Sequence, residues 1–117
     1  MGCEHLRNLL ALPDAEIVAV ADRNADSRHW AAVTLGAAHP AMVCGDASEL
    51  LDRELDAVVI ATPNGTHASV LAEIFAARPD LPLLVEKPLC TTVDDCACGN
   101  SGQVACNAGG VCGPNAY

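Results

Sequence analysis

Aromatic side chains are nearly missing from this sequence, which has one Phe, one Trp and one Tyr among 117 residues. An aromatic-rich sandwich is therefore not expected. The apolar 51% rests mainly on Ala, Leu and Val, a composition that suits helices packed closely on a sheet. Basic residues are scarce too: six against fifteen acidic ones leave a formal charge of -9. Such a surface does not neutralise phosphate backbones or anionic headgroups, so neither nucleic acid nor membrane is an expected partner. No apolar run approaches the roughly 20 residues of a membrane helix. The start, Met1-Gly2-Cys3-Glu4-His5, has no basic stretch leading into an apolar one. A soluble, unexported, cytoplasmic chain is the expectation. Length excludes a two-domain enzyme, since 117 residues make one domain, whose core buries roughly two-thirds of the unfolded surface. The seven Cys are an odd number, and Cys3, Cys44 and Cys90 are scattered, which fits a reduced compartment better than a disulfide framework.

The elements alternate. Leu6, Leu9 and Leu10 predict a helix over about 3–12 that stops at Pro13. Ile17-Val18-Ala19-Val20-Ala21 is an unbroken apolar run of strand length ending at Asp22, as in strands covered on both faces. Asn24 can cap a helix running to Gly36, with Trp30, Val33 and Ala37 expected on one face. A weak strand over 41–44 follows, and Asp46 with Glu49 resembles a capping box for a helix over 47–53. Residues 57–61 are the clearest strand. After the turn Thr62-Pro63-Asn64-Gly65 a helix is predicted over 66–78, with Leu71, Ile74, Phe75 and Arg78 on one face. Residues 83–86 supply another strand, closed by Pro88. Strands alternating with helices at this spacing imply right-handed crossovers and a parallel sheet, so the fold class is α/β. From about Cys96 apolar bulk falls away and turn residues dominate, so 96–117 reads as a Cys/Gly-rich tail with little regular structure, after a domain over 1–95.

In dinucleotide-binding folds an acidic residue at the tip of the second strand lies about 20 residues past the glycine turn and holds the adenosine ribose. Asp22 stands in that relation to Gly2. The spacing makes Gly2 a candidate for the last glycine of such a turn, with the first strand and earlier glycines absent ahead of Met1. Alone, an Asp after a strand is more often a plain turn residue or helix cap.

Three further stretches add to it: Glu4-His5-Leu6-Arg7-Asn8-Leu9 after Gly2, Ala61-Thr62-Pro63-Asn64-Gly65-Thr66-His67, and Val85-Glu86-Lys87-Pro88-Leu89. With Val18-Ala19-Val20-Ala21-Asp22 they resemble the N-terminal half of the Gfo/Idh/MocA oxidoreductases, over about residues 2–95. The resemblance implies a Rossmann domain binding NAD or NADP, followed in that family by a sheet domain holding most of the substrate pocket. By resemblance Gly2 belongs to the cofactor turn, Asp22 holds the ribose, and Thr62, Pro63 and Asn64 line the cleft. His67 lies near the cofactor, with Glu86 beside it. Lys87 points toward nicotinamide and substrate, where an ammonium can stabilise the alkoxide formed as hydride leaves. The implied substrate is a sugar, cyclitol or related secondary alcohol, and a homo-oligomer is open to the full-length parent.

Several of these residues also have plainer readings. Lys87 can be a solvated strand end, His67 a surface or helix-start histidine, and Glu86 structural. Arg23 can pair with a 2'-phosphate or simply be exposed; exposure is the expectation. His5, His29 and His39 read as surface or packing residues. Cys96, Cys98, Cys106 and Cys112 offer four thiolates but no paired C-x-x-C knuckles, so a disordered or frameshifted tail is preferred to a zinc site and no metal is expected.

The sequence departs from the family's pattern at both ends. In strand order 3-2-1-4-5 the first strand is central, so its loss would leave the strands at 17–21 and 57–61 with unpaired inner edges. The expectation is an incomplete Rossmann-like sheet from a truncated product whose parent is an active dehydrogenase. This form would bind cofactor weakly or not at all and would be inactive alone, the alternative being a non-catalytic nucleotide-binding or interaction fragment.

Overall fold

The computed structural model describes residues 2–88 together with 105–106 and 112–113. Helix α1 (Gly2–Ala11) leads to strand β1 (Ala19–Ala21), then α2 (Ala25–Leu35), β2 (Met42–Cys44), α3 (Ala47–Leu51) and β3 (Val58–Ile60). A 3-10 turn over Asn64–Thr66 runs into α4 (His67–Ala77), and β4 (Leu83–Val85) follows. The order is the expected one, with every strand trimmed to three residues.

Pairing is parallel but divided. β1 pairs with β2, with Val20 opposite Val43, and β3 pairs with β4, with Val59 opposite Leu84. The two pairs form separate sheets, so the other edges of β1 and β3 carry no strand among the described residues. Backbone bonds show which peptide groups these edges present. Met42 N–H donates to Val18 O and Asp22 N–H to Cys44 O, so the alternate residues Ala19 and Ala21 turn their peptide groups away from β2. Val58 N–H donates to Pro82 O and Glu86 N–H to Ile60 O, which leaves Val59 turned away from β4. Two parallel pairs, with no strand joining β1 to β3 among the described residues, match the unpaired inner edges expected from the 3-2-1-4-5 order. The energetic cost is tempered, because β1 is half-buried along its length and Val59 is half-buried too. Water that reaches these edges can take the place of ladder partners, whereas fully buried unpaired groups would cost about 1 to 3 kcal/mol each.

Two apolar clusters hold the halves. Leu51, Ile60, Leu71, Ile74 and Leu81 bury together beneath α3 and α4, while Leu6, Ile17 and Ala31 bury where α1 and α2 meet β1. Asn24 caps α2 as expected, its side-chain oxygen accepting from the N–H groups of Asp26 and Ser27 at 2.8 and 3.2 Å. Gly36 ends that helix at φ 90°, a conformation glycine adopts without a Cβ penalty.

Two expectations need correction. The inward face of α2 is marked by Ala31 and not by Val33, which is 67% exposed. Ala31 is 4% exposed in the cluster with Leu6 and Ile17, and Trp30 packs against that cluster as expected. Asp46 begins α3 but its carboxylate makes no capping bond, so the capping box is not closed. In the tail, Ala105–Cys106 (β5) and Cys112–Gly113 (β6) pair antiparallel, with Cys106 opposite Cys112, a two-residue pairing in keeping with the little regular structure expected there. Tail disorder and the side chains of Cys96, Cys98, Cys106 and Cys112 lie outside the described residues, among which no metal-holding group of His, Cys, Asp or Glu occurs. No helix there is long and apolar enough to cross a membrane.

Cys44, buried at the end of β2, has its Sγ 3.5 Å from the carbonyls of Val20 and Asp46. Burial, and then the nearby Glu49 carboxylate, push its thiol above the ordinary range. A raised value in the folded state means that the stabilising contribution is complete below the unfolded thiol's pKa and is lost as pH rises through the folded one. The chain should therefore lose stability in the alkaline range, and Cys44→Ala should flatten that loss. Near pH 8, iodoacetamide should label exposed Cys3 at least about tenfold faster than Cys44, read by peptide mass mapping. Equal rates would mean the thiol is not sequestered.

Candidate functional site

The candidate residues occupy the connections that leave the carboxyl ends of β1, β3 and β4. Asp22 follows β1 directly and is exposed. Its Oδ1 accepts from Asn24 N–H at 2.8 Å, closing a local turn. Arg28 Nη1 donates to the carbonyls of Asp22 and Arg23, each at 2.8 Å, and so braces that turn from α2. Asp22 is thus a turn residue, as its plainer reading expects, and it is exposed. Arg23 is exposed, as expected.

At the end of β3 the Thr62 hydroxyl oxygen is buried and has no hydrogen-bond partner among the described residues. Pro63 accepts through its carbonyl from Thr66 N–H at 2.8 Å and Thr66 Oγ1 at 2.7 Å, which winds the 3-10 turn. Asn64 sits exposed on that turn. At the end of β4, Glu86 Oε1 lies 2.5 Å from His5 Nε2. Lys87 is exposed, and among the described residues no carboxylate lies within ion-pair distance of it. The Lys87–Pro88 peptide is cis.

His67 joins two of these connections. It is fully buried, with Nδ1 2.6 Å from Pro88 O and Nε2 2.7 Å from Thr62 O. The start of α1 also reaches this end of β3, since a Cβ built on Gly2 would lie 3.9 Å from that of Ala61. The structure thus brings together Gly2, Thr62, His67, Glu86 and the Lys87–Pro88 segment. It records no contact between Asp22 and that group.

His5 was read as a surface or packing residue, yet it reaches Glu86 across 81 positions of sequence. Only the ordering of the strands could have signalled that contact. Arg28 was also missed, because a guanidinium on a helix face gives no sign of which carbonyls it will meet. A shallow surface depression lies elsewhere, lined by Leu55, Asp56, Arg78, Pro79, Asp80 and Pro82 at the amino ends of β3 and β4. It is at the wrong end of the strands for a crevice of this fold, which opens at their carboxyl ends.

The residues present fit a dinucleotide. A buried hydroxyl without a partner, an exposed carboxylate and an exposed ammonium stand at strand-end turns, and the first N–H groups of α1, next to β3, are the donors a pyrophosphate takes.

Comparison with known proteins agrees. Residues 1–98 match the model of an oxidoreductase family described by its NAD-binding Rossmann fold. Inositol 2-dehydrogenase 1 of Saccharopolyspora erythraea is 37% identical over 98 residues, a stretch that is 82% of this chain and 28% of that enzyme. Among solved structures, a myo-inositol dehydrogenase from Corynebacterium glutamicum superimposes with a TM-score of 0.64 at 29% identity, covering 80% of this chain and 27% of that one. The WlbA dehydrogenase from Bordetella pertussis, solved with NADH and UDP-GlcNAcA, gives 0.65 at 28% identity, covering 82% and 29%. The chain therefore spans under a third of the length of these relatives.

Proposed function

The chain belongs to the Gfo/Idh/MocA oxidoreductase family and matches its NAD-binding Rossmann domain, and from that premise we propose that it supplies the dinucleotide-holding side of a dehydrogenase acting on a cyclitol or related secondary alcohol. The names of the inositol dehydrogenases it resembles support that substrate class. In this reading Asp22 accepts hydrogen bonds from the adenosine ribose, and the N–H groups at the start of α1 face the pyrophosphate. Thr62, Pro63 and Asn64 form the wall of the nicotinamide half, where the unpartnered Thr62 hydroxyl has a donor to offer. When bound, the nicotinamide supplies the hydride acceptor. Lys87 directs its ammonium toward the substrate oxygen and stabilises the negative charge that grows there as hydride leaves. Glu86, turned to His5, is not free to pair with Lys87 through that oxygen.

A single observation carries the reading: the two ring nitrogens of His67 lie within hydrogen-bond distance of the Thr62 and Pro88 carbonyls, so the peptide bearing Lys87 lies against the turn that bears Asn64. NAD is favoured over NADP because an exposed carboxylate at Asp22 repels a 2'-phosphate, while Arg23 beside it makes no bond that would aim it at one among the described residues. Fluorescence titrations with NADH and NADPH test this. NADH should bind at least about tenfold tighter, a difference of roughly 1.4 kcal/mol. Equal affinity would remove the role given to Asp22, and no binding of either beside a cooperative melt would replace the dinucleotide reading with that of an interaction fragment.

A further inference from the structure

His67 is the one fully buried polar side chain among the described residues, and its two ring nitrogens face the same kind of partner. A neutral imidazole carries one donor and one acceptor nitrogen. Here Nδ1 meets Pro88 O at 2.6 Å and Nε2 meets Thr62 O at 2.7 Å, and carbonyl oxygens only accept. A neutral ring would satisfy one carbonyl and press a nitrogen lone pair against the other. Only a ring with N–H on both sides turns both contacts into bonds.

The opposing terms can be named. Burial disfavours a charged ring, and so does the position of His67 as the first residue of α4, at the positive end of that helix. Two short charge-assisted bonds act in the other direction, and these are roughly twice as strong as neutral ones. The charged residues on the elements that meet the ring are Glu86 and Lys87 beyond β4 and Glu73 on α4 itself; the Thr62–Thr66 turn has none. Two bonds to fixed backbone acceptors, with no side-chain partner, make the ring a brace between two connections.

We propose that His67 is a positioning residue that donates from both ring nitrogens, setting the Lys87–Pro88 peptide against the Thr62–Asn64 turn and thereby the affinity for the nicotinamide half of the dinucleotide. The last clause rests on the dinucleotide reading above; the two-donor brace does not.

Two measurements separate these parts. In a histidine-labelled sample of the whole chain without ligand, long-range proton–nitrogen spectra should show both His67 ring nitrogens in the protonated range, each with its own slowly exchanging ring proton. One bare nitrogen would overturn the brace, whatever the chain binds. The second measurement compares NADH with AMP on H67N and H67Q. NADH should weaken about tenfold, the effect of losing a buried hydrogen bond at the nicotinamide side, while AMP, held near Asp22, should change by less than about twofold. Equal loss for both ligands, or for neither, would overturn the positioning role. If the native chain takes up no NADH, the dinucleotide reading falls and with it the claim on affinity, while the ring spectrum still decides the brace. If neither variant folds, hydrogen exchange of the Thr66 and His67 amides in the native chain decides positioning: NADH should slow both, and no change would overturn it.

Discussion

Replacing Ile74 with Ala is expected to cost about 3 kcal/mol, within the range measured for truncating a large buried aliphatic side chain. Ile74 is 2% exposed and packs with Ile60, Leu51, Leu71 and Leu81, so it joins α4 to both β3 and α3. The neighbours cannot close the space easily, because Ile60 is fixed in the β3–β4 ladder and Leu51 in α3. A domain's whole net stability is roughly 5 to 15 kcal/mol, and this one carries strand edges without partners. The melting temperature should fall by about 10 to 20 °C or the cooperative transition should vanish. Val33→Ala is the control: at 67% exposed it should change stability by less than about 0.5 kcal/mol. Circular dichroism melts of the two variants decide the point, and similar melts would mean that the core is wrongly placed.

Asp22→Ala is expected to weaken NADH binding about 10- to 100-fold, the consequence of losing hydrogen bonds to a charged acceptor worth about 1.5 to 3 kcal/mol. Part of any effect could come from the turn, since Asp22 also accepts from Asn24 N–H. Asp22→Asn separates the two contributions by keeping an acceptor for Asn24 while removing the charge. Its NADH affinity should fall less than that of the alanine variant, and its NADPH affinity should rise relative to NADH. Titration by fluorescence reads both. An alanine variant that binds NADH like the native chain would show that the carboxylate serves only the turn.

Local signals were legible where they depend on near neighbours. The β3 run, the cap at Asn24 and the Leu71–Ile74 face of α4 all follow from residues a few positions apart, and all are present. Strand ends were overestimated because an apolar residue such as Ile17 extends a run by composition alone, whereas in the fold it turns out of the ladder and into the cluster with Leu6. Val33 misled for a related reason: helical spacing identifies a stripe, but only the sheet decides which stripe faces inward. At the site, the turns themselves were legible from Thr62-Pro63-Asn64 and Glu86-Lys87-Pro88. What ties them together was not, because His5 to Glu86 and His67 to Pro88 are tertiary contacts between residues with no sequence relation. The divided sheet was an inference from strand order, and among the described residues β1 pairs only with β2 and β3 only with β4.

The most direct test is a nitrogen-15 amide spectrum of the chain followed through an NADH titration. Signals of Gly2, Asp22, Asn64 and Lys87 should move together and report one dissociation constant, because a single extended ligand would touch all four connections. Shifts confined to the depression between Leu55 and Pro82, or strand-end signals that move with unrelated constants, would contradict it.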